Sequence, residues 1–223
     1  MTKFSRPIFA ALLLTIFVIA GVAGGPVDGI EVALMRQLAS VRADWPQLTL
    51  AATAFTTLGS GPVTLFIVGG ASLWLLRRRS WRAALLLMVT VLAQRTLVEL
   101  LKDWTGRARP PLDPRLLPHS LAFPSGHSAN SMTAFLGIAL LVAVPAFRRY
   151  AAAAALTLAF MVGLSRIYLG VHWPSDVIGG WAFGLLAVLA ALAMGERSGV
   201  LNQETQHDIV GRHGSAAGED EPA

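Results

Sequence analysis

The 223-residue chain contains no cysteine, which excludes disulfides and thiolate metal sites at the outset. It is also poor in charge. Only 14 % of its residues are Asp, Glu, Lys or Arg, where an ordinary soluble domain carries about a quarter. Apolar residues fill the gap: they make up 54 % of the chain, and the mean hydropathy is +0.59. Several uncharged runs are long enough to cross the roughly 30 Å of a bilayer core. An ordinary soluble domain is thereby excluded, and the length leaves room for one integral membrane domain and no second. A net charge of +5 and a pI near 10.7 can signal nucleic-acid binding. Here much of the excess lies in short arginine clusters flanking apolar runs, which is the pattern of membrane topology. No nucleic-acid partner is expected.

The apolar runs predict an all-α, polytopic membrane protein with six transmembrane helices in a bundle. Lys3 and Arg6 precede an uncharged run from Pro7 to Val27. A secretory signal shares this pattern, but the run is long for one and five further spans follow, so a retained first helix is predicted. Residues 28–46 place Ile30, Leu34, Leu38 and Val41 at roughly helical spacing among charges, which predicts an amphipathic helix at the membrane interface. The turn signal Gly59-Ser60-Gly61-Pro62 divides the next apolar stretch into a membrane helix over Pro62–Leu76 and a segment that leads into it or re-enters. Further spans are predicted over Ala83–Leu101, Ser128–Phe147, Tyr150–Ser165 and Val177–Gly195. The domain therefore covers residues 1–195, and 196–223 form a polar, disordered tail. Arg95 and Glu99 fall within the third span, four residues apart, and are expected to pair and fix helix packing.

Arginines at 77–82 and 148–149 mark cytoplasmic turns. With six spans, both termini then lie inside, and the segments bearing Lys102–Arg109, His127 and His172 all emerge at the outer face. The expected location is the inner, or plasma, membrane with the site on the extracytoplasmic side.

The stretch Ser165-Arg166-Ile167-Tyr168-Leu169-Gly170-Val171-His172-Trp173-Pro174-Ser175-Asp176 concentrates chemistry in a chain with little charge to spare. A histidine four residues before an aspartate lets the carboxylate hold one ring nitrogen and leave the other free. Pro174 suits the first turn of a helix, which sets His172 near a helix N-terminus, where anions are favoured. Two more groups precede it: Lys102 followed after six residues by Arg109-Pro110, and Pro124-Ser125-Gly126-His127. Singly, each has a plain reading. His127 can cap a helix, His172 can be interfacial, and Asp176 can be a capping carboxylate. Those readings leave unexplained why three such groups stand in this order at the ends of membrane spans.

In these three groups the chain resembles the type 2 phosphatidic acid phosphatase superfamily, membrane lipid phosphatases that share their site pattern with vanadium haloperoxidases. The resemblance covers residues 60–195. It implies that Lys102, Arg109 and Arg166, with Ser125 and the backbone of Gly126, bind phosphate, since three cations match the charge that spreads over the equatorial oxygens in phosphoryl transfer. It further implies His172 as nucleophile, forming a phosphohistidine, Asp176 as the group that holds its tautomer, and His127 as the acid that protonates the leaving oxygen and later activates water. Neither a metal nor another cofactor is expected. Arg107 and Arg115 lie outside the pattern and are expected to touch headgroups or lipid; His119, His207 and His213 are expected to be inert.

The expected activity is metal-independent hydrolysis of a lipid phosphate monoester or pyrophosphate, so the expected partner is a membrane lipid bearing that group. Undecaprenyl pyrophosphate is favoured because a chain this short has little outer structure to select a large headgroup. Phosphatidylglycerol phosphate, phosphatidic acid and the lipid A phosphates are the other candidates. The rival class is a polytopic transporter or lipid-binding scaffold, which would place its polar residues near the midplane. A haloperoxidase is disfavoured because that class is soluble.

Overall fold

The computed structural model describes residues 5–111 and 120–199; the readings made of Arg115, His119, His207, His213 and the tail beyond 199 lie outside these residues. The described residues form helices and no strands. In chain order they are α1 (Ser5–Ala23), α2 (Gly29–Asp44), α3 (Pro46–Leu58), α4 (Gly61–Arg77), α5 (Trp81–Thr105), α6 (Gly126–Val142), α7 (Arg148–Tyr168) and α8 (Pro174–Arg197). Four of them, α1, α5, α7 and α8, are long and apolar enough to cross a bilayer. The pair α3 and α4 meets the same test jointly, bent by 49°. Their outward faces carry large apolar side chains such as Ile8, Phe66, Leu100 and Trp104, as a lipid-facing surface requires.

Local chemistry sets the ends of the helices. Pro46, Pro62 and Pro174 stand in the first turns of α3, α4 and α8, where a missing N–H costs nothing. Gly106, at φ 60°, supplies the left-handed residue that closes α5. Asp28 caps α2 by accepting a hydrogen bond from the Ile30 N–H at 2.9 Å. The expected helix is thus formed, but its inward face is Val32, Met35 and Leu38, packed on Ala122, Trp173 and Ile167, while Ile30 and Leu34 of the expected stripe are exposed. At its far end Arg42 donates to the Tyr168 carbonyl at 2.5 Å. The segment before α4 leads into it as α3. Gly59 at the bend is required by close approach: a Cβ there would stand 2.3 Å from Val162 and 3.2 Å from the His127 carbonyl.

The short helix α6 runs through the middle of the bundle, against α4, α5, α7 and α8. Small residues make this possible. A Cβ on Gly180 of α8 would meet the Ser125 carbonyl at 2.6 Å, and one on Gly184 would meet the Ala129 carbonyl at 2.9 Å, so the two backbones touch as small-residue interfaces in membranes do. One apolar core, built on Val68, Leu75, Leu87, Val91 and Leu141, occupies the half of the bundle remote from the loops at 106–125 and 169–173.

Two expectations need correction. The predicted fourth span, Ser128–Phe147, ends five residues early at Val142, because Pro145 disfavours helix in the residues before it and Ala143 is already extended. The Arg95–Glu99 pair is not made. Glu99 accepts instead from Lys102 at 2.8 Å. The Arg95 guanidinium lies against Gly61 at the start of α4, where a Cβ would stand 2.7 Å from it, and its buried Nη1 has no partner.

Candidate active site

The C-terminal ends of α5 and α7 and the N-terminal ends of α6 and α8 converge at one end of the bundle. There Ser125 N–H donates to the Asp176 carbonyl at 2.9 Å, joining the first turns of α6 and α8. Trp173 Nε1 donates to the Ala108 carbonyl at 2.9 Å, fastening the loop after α5 to the α7–α8 turn. Gly170, at φ 73°, lets the chain reverse after α7 and carry His172 inward. His172 is 1 % exposed and Asp176 0 %.

The buried pair is held from both sides. Asp176 Oδ2 accepts from the Trp173 backbone N–H at 2.9 Å and from His172 Nδ1 at 3.3 Å. An ionised carboxylate only accepts, so Nδ1 carries the proton. On the other side of the ring, Arg109 Nη1 lies 3.1 Å from Nε2. A guanidinium only donates, so Nε2 presents its lone pair. Two independent neighbours therefore require the same tautomer. Burial, and then the charges of Arg109, Arg166 and Lys102, hold His172 well below the ordinary histidine range. At neutral pH it is an uncharged imidazole whose Nε2 lone pair faces the Arg109 guanidinium.

The predicted phosphate-binding residues surround it. Arg109 is set by donating to the carbonyls of Ser120 and Val171, each at 2.6 Å. Arg166 is buried and donates to Thr56 Oγ1 at 2.8 Å, while its buried Nε has no partner. Lys102 is buried too, and a Cβ on Gly126 would stand 3.5 Å from its Nζ. The glycine thus keeps open the gap between that ammonium and the first N–H groups of α6, where an anion is favoured. Ser125, fully buried, accepts from Ser128 Oγ at 3.1 Å. His127 is half-buried within electrostatic reach of Arg166, His172, Lys102 and Arg109. The structure brings all eight predicted site residues to one end of the bundle.

Sequence reasoning missed three groups. Arg107 does not face headgroups: it is 9 % exposed and donates through Nη1 to Asp176 Oδ1 at 2.9 Å and Ser175 Oγ at 3.0 Å. Through Nη2 it donates to the Ala20 carbonyl at 2.9 Å and that of Gly21 at 2.6 Å. Glu31 of α2 accepts from the N–H groups of Gly25 and Ser175, each at 2.6 Å, and from Ser175 Oγ at 2.9 Å. Thr56 of α3 supports Arg166. Arg107 had a visible signal, a basic residue two positions before Arg109. Glu31 and Thr56 had none, because the site residues they hold, Ser175 and Arg166, lie 144 and 110 residues away.

Helices long and apolar enough to cross a membrane, with two histidines, an aspartate and basic side chains gathered where four helix ends meet, define a buried site suited to an anion. Residues 83–199 match the PAP2 superfamily, and the chain belongs to that family. It is 31 % identical over 181 residues to the phosphatidylglycerophosphatase B of Bacillus subtilis, covering 78 % of this chain and 87 % of that one. The crystal structure of a transmembrane PAP2-type phosphatidylglycerolphosphate phosphatase from Bacillus subtilis superposes with a TM-score of 0.73 at 30 % identity, covering 84 % of this chain and 96 % of the other. An undecaprenyl-diphosphatase of Sulfolobus acidocaldarius is 37 % identical over 73 residues, 33 % of this chain and 32 % of its own.

Proposed function

We propose that this protein is a membrane lipid phosphatase that works through a phosphohistidine on His172. The observation that carries the reading is the doubly enforced tautomer: Asp176 and Arg109 leave the Nε2 lone pair of a neutral imidazole among three cations. Nε2 attacks phosphorus in line, the bond from phosphorus to the leaving oxygen breaks, and His127 gives that oxygen a proton. Lys102, Arg109 and Arg166 stabilise the charge on the equatorial oxygens, and Asp176 balances the charge that the ring gains. In the second half, His127 takes a proton from water, the water oxygen attacks phosphorus, the N–P bond breaks, and phosphate leaves. Lys102, Arg109 and Arg166 meet the negative charge of phosphate and Asp176 the positive charge of the ring, so this reading calls for no metal.

Counting α6 and the bent pair α3–α4 as one span each gives six spans. Arg6 and Glu196 pair at 2.6 Å, which joins the start of α1 to the end of α8 and supports termini on one side. The arginines at 77–79 and 148–149 gather at that same end, which the positive-inside rule makes cytoplasmic. The site then faces the extracytoplasmic surface at headgroup depth, where a lipid presents phosphate while its tail stays in the bilayer. Of the relatives above, the phosphatidylglycerophosphatase matches over most of both chains, whereas the undecaprenyl-diphosphatase matches over about a third. Phosphatidylglycerol phosphate therefore joins undecaprenyl pyrophosphate at the head of the candidate substrates.

The test is phosphate release by purified protein in detergent from a panel of phospholipid monoesters and prenyl pyrophosphates, with EDTA present and His172→Ala alongside. Release by the wild type alone is expected, and the panel ranks the substrates. Equal release by both proteins means a different nucleophile. No release from any lipid by the wild type favours a transporter or scaffold.

A further inference from the structure

We propose that Arg107 is a positioning residue: it holds Asp176, and through it His172, against the C-terminal end of α1. The inference rests on the reading of His172 as nucleophile. Asp176 has two oxygens and divides them. Oδ2 serves His172 and the Trp173 N–H, while Oδ1 takes the Arg107 Nη1. The carboxylate is 0 % exposed, so water cannot replace a lost partner, and a buried charge without one is costly. Without Arg107, the carboxylate gains by turning Oδ1 toward the remaining donors, and the bond that fixes the His172 ring is the longest it has.

Arg107 is in turn fixed from behind. Its Nη2 takes the carbonyls of Ala20 and Gly21, which as the last carbonyls of a helix lack intrahelical partners and carry partial negative charge. Its guanidinium lies 4.5 Å from the centre of the Phe123 ring, and a Cβ on Gly25 would stand 3.1 Å from its Cδ. A side chain held this completely does not reach substrate; it transmits position. The planar fork matters, because one nitrogen faces α1 and the other faces Ser175 and Asp176; a lysine ammonium has no such geometry. Glu31 adds a second strap by binding Ser175, the neighbour of Asp176, to α2. Two helices outside residues 83–199, the part that matches the family, thus set the aim of the nucleophile.

The experiment is a double-mutant cycle on full-length protein in detergent, measuring kcat and KM for phosphate release from the best lipid of the panel. Arg107→Gln is expected to lower kcat about 100-fold, the scale of an ångström-sized misplacement, with KM within about 3-fold. Arg107→Lys is expected to recover about a tenth of the wild-type rate. The deciding term is non-additivity: Arg107→Gln in an Asp176→Asn background should cost no more than about 3-fold further, because its effect runs through Asp176. If Arg107→Gln does not yield folded protein, Arg107→Lys carries the same cycle. Losses that multiply mean that Arg107 only supports the fold. A rise in KM at constant kcat makes it a substrate-binding cation, and an unchanged kcat leaves it no role; each overturns the proposal. A wild type that releases no phosphate removes the phosphatase reading and this inference with it, whereas an active wild type with a failed cycle removes this inference alone.

Discussion

Replacing Gly180 with alanine tests whether the site depends on direct backbone contact between α6 and α8. The added Cβ would lie 2.6 Å from the Ser125 carbonyl, 2.8 Å from Ser128 Cβ and 3.3 Å from the Ala129 nitrogen. Two of these three are backbone atoms, so no rotamer change relieves the overlap. Ordinary contact begins near 3.4 Å, and against the 2.6 Å contact the helices must part by about 0.8 Å. That separation opens at the hydrogen bond from Ser125 N–H to the Asp176 carbonyl, between a proposed phosphate ligand and the partner of the proposed nucleophile. Overpacking of this kind costs about 1–3 kcal/mol of stability, and a displacement near 1 Å at a reacting centre costs about 100-fold in rate. The assay is phosphate release with a melting curve for each protein. Gly137→Ala serves as control, because its Cβ would meet only Leu87 Cδ1, at 3.1 Å, and that side chain can give way. The expected result is a large loss of kcat for Gly180→Ala and a change within about 3-fold for Gly137→Ala. A Gly180→Ala protein that melts normally and keeps its kcat refutes the argument.

Three further expectations follow from single contacts. Thr56→Val removes the oxygen that accepts from Arg166 Nη1, a bond to a charged group worth about 1.5–3 kcal/mol; kcat/KM should fall about 10-fold or more and return with Thr56→Ser, and an unaffected valine variant would count against a role for Arg166 on phosphate. Glu99→Gln releases Lys102 from an exposed carboxylate, and since such pairs are worth less than about 1 kcal/mol, KM should fall by no more than about 5-fold; a rise in KM would mean that Glu99 assists binding. His172 has its folded-state pKa lowered by burial, so below about pH 6.5 the unfolded chain takes up a proton that the folded one refuses. The melting temperature should therefore fall as pH drops from about 7 to 5, and fall less for His172→Asn; equal slopes would show that the ring is not held neutral.

How much could be read in advance depended on how local each interaction was. The His172–Asp176 contact was legible because both residues stand within one turn at the start of α8, and Pro174 marks that start. The spans were legible from apolar runs bounded by arginines, but ends within a run were not: α6 stops at Val142 on account of a single proline, Pro145, three residues later. Arg95 and Glu99 share a helix face, and spacing alone paired them. Lys102 falls on that face as well; what spacing does not contain is that Arg95 is drawn to the bend before α4, leaving Glu99 to Lys102. The positions of Lys102, Arg109 and Arg166 relative to His172 came from the family resemblance. The supports behind them are tertiary: Thr56 and Glu31 reach Arg166 and Ser175 across the chain, and Arg107, visible as a basic residue near Arg109, showed nothing of its link to Asp176 and α1.

The pairing of α1 with α8 also sets an order of events during synthesis. Phe17 of α1 packs against Phe183 of α8 and Phe123, at ring separations of 5.6 Å and 5.2 Å, so α1 finds its main partner in the described helix farthest from it in the chain. Without α8, the Arg107 that binds the carbonyls of Ala20 and Gly21 has no Asp176 to link them to. A nascent chain lacking only its final helix already holds Lys102, His127 and Arg166, yet has no Asp176 to set the histidine. On the proposed reading, such a fragment carries His172 without the carboxylate that orients it, and the aim of the ring is set only when α8 packs in.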